Sequence, residues 1–288
     1  MEDPCNSSWE DSFDYSNSSY DYYGHNEEAG FITFVVTCII IGIALPLTLM
    51  AIFALYSLVQ NDHVAPIYVI NLLISDLIQL CCTIVWLIKP EDWKKYYIFY
   101  IYFFGVMASA CFMVCIALER FLVIVFPLWY RFRRTIKSSV LVCVMVWPLP
   151  AIYILPSYFC VNFVVEEAIS ATFLLLPLPL LIFFLGGTLK ALSASISVPP
   201  DEKRRIVGVL VLVLLLYTLL FLPSIIWSLT ENGRNNNIVS NVSFVFLRLS
   251  PLADLVMYIF MRKGTTDKVL ASLCCCRMDS NDVSSQAV

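Results

Sequence analysis

Five charged side chains fall within stretches of the chain that are otherwise apolar: Asp76, Glu119, Arg120, Arg248 and Asp254. These types can pair charges, hold a proton or cation, or bind an anion. The chemistry of a hydrolase or metalloenzyme is not written here. The two histidines, His25 and His63, lie outside these stretches, which argues against a proton-relay pump, and there is no HExxH spacing and no nucleophile context around a serine. A charge at bilayer depth costs about 2.5–3.5 kcal/mol on insertion scales, so each of the five is a candidate for function. Glu119 and Arg120 stand where the apolar "CIALERFLVIVF" gives way to the basic "YRFRRT", at the water boundary, where charges keep part of their hydration. Arg248 keeps its proton at any depth, so it needs an anion: Asp254, Asp76, or a ligand's phosphate or carboxylate gripped by the guanidinium fork.

The elements that must position these residues are membrane helices. The chain has 288 residues, 60% of them hydrophobic and only 14% charged, with a mean hydropathy of +0.81. A soluble domain would carry nearer a quarter charged residues. A span needs about 20 apolar residues, and seven stretches qualify: 31–58, 65–88, 96–126, 138–158, 168–189, 206–229 and 242–262. The expected fold is therefore all-α, a seven-transmembrane helix bundle with its amino terminus outside. It divides into an extracellular glycosylated acidic tail (1–30), the bundle (31–263), and a short membrane-associated segment with a cytoplasmic tail (264–288). With the amino terminus outside, 13 of the 18 Lys and Arg fall on the inner side, as the positive-inside rule asks. The loop at 59–64 is the exception, with neither. The tail holds eight acids, no Lys or Arg and no apolar leader. Asn6, Asn17 and Asn241 head glycosylation acceptor patterns on the expected outer face. Of 11 cysteines, six lie in spans. Cys274, Cys275 and Cys276 follow the last span as palmitoylation candidates. Cys5 and Cys160 remain as the one outer pair, expected to form a disulfide unless Cys160 stays free.

Six motifs in order resemble the rhodopsin-like (class A) G-protein-coupled receptors, over nearly all of residues 31–277. "NLLISD" ends in Asp76 as the second-helix motif does. Glu119-Arg120-Phe121 resembles the Asp/Glu-Arg-Tyr triplet, with Pro127-Leu128 following at the family's spacing. Trp147, Pro223 and "DLVMY" (254–258) resemble the fourth-, sixth- and seventh-helix signatures. The departures are as specific: Thr48 for Asn, Lys95 for the usual bridging cysteine, Phe121 for Tyr, Phe221 for Trp, Leu255 for Pro with Pro251 one turn earlier, and no Tyr in the inner half of the fifth helix. They put ordinary ligand-driven switching in doubt without touching the fold.

The resemblance implies a multi-pass plasma-membrane receptor that takes an extracellular ligand and passes the signal to heterotrimeric G proteins. It is no enzyme, binds no nucleic acid and requires no cofactor. At the inner end Arg120 is expected to pair with Glu119 at rest and to meet the G protein when the sixth helix swings out, with Arg131, Arg133 and Arg134 forming a basic floor or a lipid anchor. Asp76, Ser109, Ser250 and Asp254 fall where relatives bind Na⁺ as an allosteric ion; a shared proton is the other way to relieve two close carboxylates. An aspartate at 254 leans toward the branch with nucleotide, lysophospholipid and proton-sensing receptors. With only two histidines, no histidine-driven proton sensing is expected.

For the ligand, Phe99, Tyr102, Phe103 and Val106 share one face of the third helix. Tyr102 stands where amine receptors carry an aspartate, which argues against an amine. Trp86 is a further wall, and Phe244 and Arg248 lie one turn apart on the seventh helix. This set suits an anionic lipid or another small anion. Two alternatives stay open. The tail "DSFDYSNSSYDYYGHNEE", with tyrosines among acids, suits capture of a basic peptide or chemoattractant. The motif departures suit a non-signalling decoy or scaffold.

Overall fold

The computed structural model describes residues 27–60, 67–88, 92–128, 130, 135–158, 163–194, 200–229 and 237–261. Cys5, Asn6, Asn17, His25, His63, Arg131, Arg133, Arg134, Cys160, Cys274, Cys275 and Cys276 lie outside the described residues. The described chain is helical: α1 Glu27–Gln60, α2 Ile67–Leu87, α3 Asp92–Val125, α4 Ile136–Val146, α5 Leu149–Tyr158, α6 Phe163–Leu175, α7 Pro177–Ala194, α8 Pro200–Leu229, α9 Asn237–Arg248 and α10 Ser250–Met261.

Five stretches are long and apolar enough to cross a bilayer: Phe34–Ser57, Ile67–Leu87, Tyr97–Val125, Ala168–Ser193 and Lys203–Leu229. α9 and α10 make one further span, bent by 43°, and the shorter apolar Ile136–Ile152 occupies the fourth place. Three of the spans are thus broken helices among the described residues. Proline explains each break, because it lacks an N–H and its ring crowds the preceding turn. Pro148 follows Trp147 at the α4–α5 junction, Pro177 follows Leu176 at the α6–α7 junction, and Pro251 follows Ser250 at the α9–α10 junction. The junctions stay hydrogen-bonded: Trp147 N–H donates to Cys143 O at 3.1 Å, Leu176 N–H to Thr172 O at 3.0 Å, and Leu249 N–H to Val245 O at 3.1 Å. In lipid such bonds must be kept within the protein.

The seventh span's apolar part begins at Val242, as expected, but its helix extends outward to Asn237. Asn241 therefore sits one turn inside a helix, not in the loop expected of a glycosylation acceptor.

The third span runs through the centre: 67% of its apolar window is buried, against 28% for the first span. Small residues let the neighbours approach. A Cβ added at Gly105 would lie 2.9 Å from Gln79 Cγ and 3.1 Å from Ser75 O, so the second and third spans pack backbone to side chain here. Trp147 ties the fourth span to the second: its indole N–H donates to Asn71 Oδ1 at 3.0 Å, and the ring stacks on Phe104 at 5.9 Å.

Candidate functional site: a membrane-embedded cleft, a carboxyl pair and a coupling end

The aromatic residues of the second and third spans form one cluster. Trp86 meets Phe99 and Tyr102 edge-on, each at 6.4 Å, and Phe99 lies 4.6 Å from Phe103. Phe244 stands apart from this group, against Trp227 of the sixth span at 6.0 Å. Tyr102 also lines a narrow cleft with Thr37, Gln79, Thr83, Arg248 and Pro251. Residues of the first, second, third and seventh spans therefore meet around Arg248. Its guanidinium Nη1 donates to Thr37 Oγ1 at 3.2 Å. No hydrogen bond to either aspartate is seen among the described residues. Asp76 Oδ1 accepts from Gln79 Nε2 at 3.4 Å, while Asp76 Oδ2 and both oxygens of Asp254 are buried without a hydrogen-bond partner.

Asp76 and Asp254 are fully buried. They stand close to each other, and Ser250 lies one turn before Asp254 on the same helix. Carboxylate oxygens only accept, so an acceptor facing an acceptor needs a proton or cation between them. The orphaned atoms, including Ser250 Oγ, are hard oxygens and fit a small hard cation. Ser109, also fully buried, turns its hydroxyl to Val106 O at 2.8 Å. No hydrogen bond among the described residues joins it to either carboxyl group.

At the inner end, Tyr130 O–H donates to Glu119 Oε1 at 2.7 Å. The expected Glu119–Arg120 pair is not seen among the described residues, and Arg120 Nε is buried without a hydrogen-bond partner. Adjacent helical residues point some 100° apart, so Glu119 meets the following segment more readily than its neighbour. Phe121 lies in an aromatic box with Phe184 at 5.3 Å and Phe183 at 5.7 Å. A Cβ at Gly187 would fall 2.5 Å from its ring. The inner end of the sixth span is tied on two sides. Lys203 Nζ donates to Leu192 O of the fifth at 3.0 Å, and Arg205 Nη2 to Met261 O of the seventh at 2.8 Å.

Residues 47–256, well over half the chain, match the family described as 7 transmembrane receptor (rhodopsin family). The chain belongs to that family. This is a receptor family rather than an enzyme family, and the receptor is a multi-pass protein of the plasma membrane. It is 23% identical to the mouse G-protein coupled receptor 68 over 275 residues, 83% of this chain and 74% of that protein. It is 30% identical to the human Mas-related G-protein coupled receptor MRG over 106 residues, 34% of this chain but only 26% of the relative. It is 28% identical to mouse free fatty acid receptor 3 over 123 residues, 40% of this chain and 39% of that receptor. These matches spread over several receptor groups and favour no single branch.

Four residues of the receptor's sites escaped sequence reading. Gln79 carried a signal, since a polar side chain three residues after Asp76 shares its face inside a span. Thr37 carried none, because a threonine in a membrane helix usually bonds its own backbone. Lys203 and Arg205 read only as positive-inside residues.

Proposed function

We propose that this receptor carries an extracellular signal, an anionic ligand held at Arg248, across the plasma membrane to heterotrimeric G proteins. The observation that carries the ligand reading is Arg248 lining a cleft beside Tyr102 and its aromatic neighbours. A guanidinium there offers paired donors to a carboxylate or phosphate, and the rings of Phe99, Tyr102 and Phe103 offer apolar surface to a chain. One matched relative is named for free fatty acids, anions of this kind.

Asp76, Asp254, Ser250 and Ser109 would hold the allosteric Na⁺, whose charge offsets the repulsion between the two carboxyl groups when bound. Pro251 lines the cleft and Ser250 precedes it, so movement of the bent seventh span changes cleft and carboxyl pair together. At the inner end, outward movement of the sixth span uncovers Arg120, which then meets the G protein beside Arg131, Arg133 and Arg134. The coupling role follows family membership and the burial of Glu119 and Phe121 around Arg120.

The test is basal and stimulated G-protein activation in cells, read across several G-protein families with a panel of carboxylates and phosphates. Arg120→Ala is expected to abolish activation while surface expression persists. Full signalling by that variant would remove Arg120 from the mechanism. Silence of the parent with every G protein would favour a non-signalling scaffold.

A further inference from the structure

Gln79 is an amide with one end in each of two places. It is 1% exposed, on the second span, three residues after Asp76. Its nitrogen donates to Asp76 Oδ1 at 3.4 Å, and this sets the amide's orientation: nitrogen toward the carboxyl group, oxygen away from it. The residue lines the same cleft as Arg248, and its Oε1 is buried without a hydrogen-bond partner. The backbone leaves the side chain little freedom. Thr83 Oγ1 donates to the Gln79 carbonyl at 2.8 Å, and the third span presses on Gln79 Cγ at Gly105, where a Cβ would stand 2.9 Å away.

An unsatisfied buried acceptor is rare in a folded protein and destabilising unless something donates to it. The cleft's other polar groups are the Arg248 guanidinium and the hydroxyls of Thr37, Thr83 and Tyr102; a donor on whatever the cleft takes would satisfy the amide oxygen. An unsubstituted anion satisfies Arg248 and leaves Gln79 Oε1 unpaired. An anion with a hydroxyl or N–H close to the acid satisfies both.

We propose that Gln79 is a specificity residue of the cleft and that the ligand is a hydroxy-acid or similar anion bearing a hydrogen-bond donor beside its acidic group. The anion meets Arg248 and the donor meets Gln79 Oε1. This rests on the anion reading of the cleft above. It adds a second consequence: Gln79 touches Asp76 at its other end, so occupancy of the cleft is passed to the carboxyl pair through one amide.

The experiment is a ligand-induced thermal shift on the purified full-length receptor in nanodiscs, which needs no signalling. The probes are butyrate against 3-hydroxybutyrate and tetradecanoate against 3-hydroxytetradecanoate, so a small free acid is distinguished from a lipid. In the parent, the hydroxy-acid of the better pair should half-saturate at about ten-fold lower concentration than its deoxy partner, as one satisfied buried acceptor warrants. In Gln79→Met, close in size, that preference should vanish. In Arg248→Gln, neither acid should shift the transition. Equal binding of hydroxy- and deoxy-acid by the parent, or a preference that survives Gln79→Met, overturns the role of Gln79 and leaves the anion site standing. No shift with any of the four acids in the parent overturns the anion site, and this inference with it.

Discussion

Asp76 and Asp254 face each other with no donor between them, so replacing one acceptor by a donor should help the fold. Asp254→Asn places an amide N–H against Asp76 and removes one charge. In sodium-free buffer the variant should melt about 3 °C or more above the parent. Added Na⁺ should raise the parent's melting temperature and leave the variant's nearly unchanged. Equal Na⁺ stabilisation of both proteins would show that the pair is not the ion's seat. Phe121 and Gly187 give a second test at this scale. The family's Tyr of the triplet is a Phe here, and the fifth span carries no inner Tyr. The two departures belong together, because the Phe121 ring fills the space a side chain at 187 would need. Gly187→Val should cost about 1–3 kcal/mol by overpacking, and Phe121→Ala in the same chain should recover part of that. Melting of the two single variants and the double variant decides it, and strict additivity would mean the ring and the glycine do not compete for space.

Among elements, the sixth span is the one whose restraint is visible. No bond from Arg120 holds it among the described residues; Lys203 and Arg205 reach instead to carbonyls of the fifth and seventh spans. A cation suits the C-terminal end of a helix, where main-chain carbonyls lack partners and the helix dipole is negative. If outward movement of the sixth span activates the receptor, each bond favours the inactive state by about 1 kcal/mol, roughly five-fold in population. Lys203→Met and Arg205→Met should each raise basal G-protein activation several-fold at equal surface expression, and the double variant should exceed either. Unchanged or lower basal activity would assign these cations to binding the G protein instead. The breaks in the fourth, fifth and seventh spans were legible as prolines in the sequence, but how far each helix turns was not. The 43° bend between α9 and α10 depends on the neighbours that resupply the lost hydrogen bonds.

For the whole molecule, the charge pattern predicts an orientation, since 13 of 18 Lys and Arg fall on one side of the seven expected spans. An epitope at the amino terminus should be labelled on intact cells, and one at the carboxyl terminus only after permeabilisation. Asn6→Gln with Asn17→Gln should remove most of the glycosidase-sensitive mass. Labelling of the carboxyl terminus on intact cells would invert the topology. The sequence alone determined the class of fold, the order of the spans and the family, because each depends on local composition and on motifs that keep their spacing along one helix. Asp76, Arg120, Trp147 and Pro223 could be recognised without coordinates. Only the tertiary structure decided who meets whom. Arg248 bonds Thr37, 211 residues away in the chain, rather than an aspartate; Tyr130 takes the carboxylate expected for Arg120; Phe244 faces Trp227 rather than the aromatic cluster; and Gln79 joins the cleft to the carboxyl pair. A helix presents its polar groups at a known height and face, but which neighbour stands opposite is set by how seven helices rotate and pack against one another. That packing is a property of side-chain volumes summed over the whole bundle.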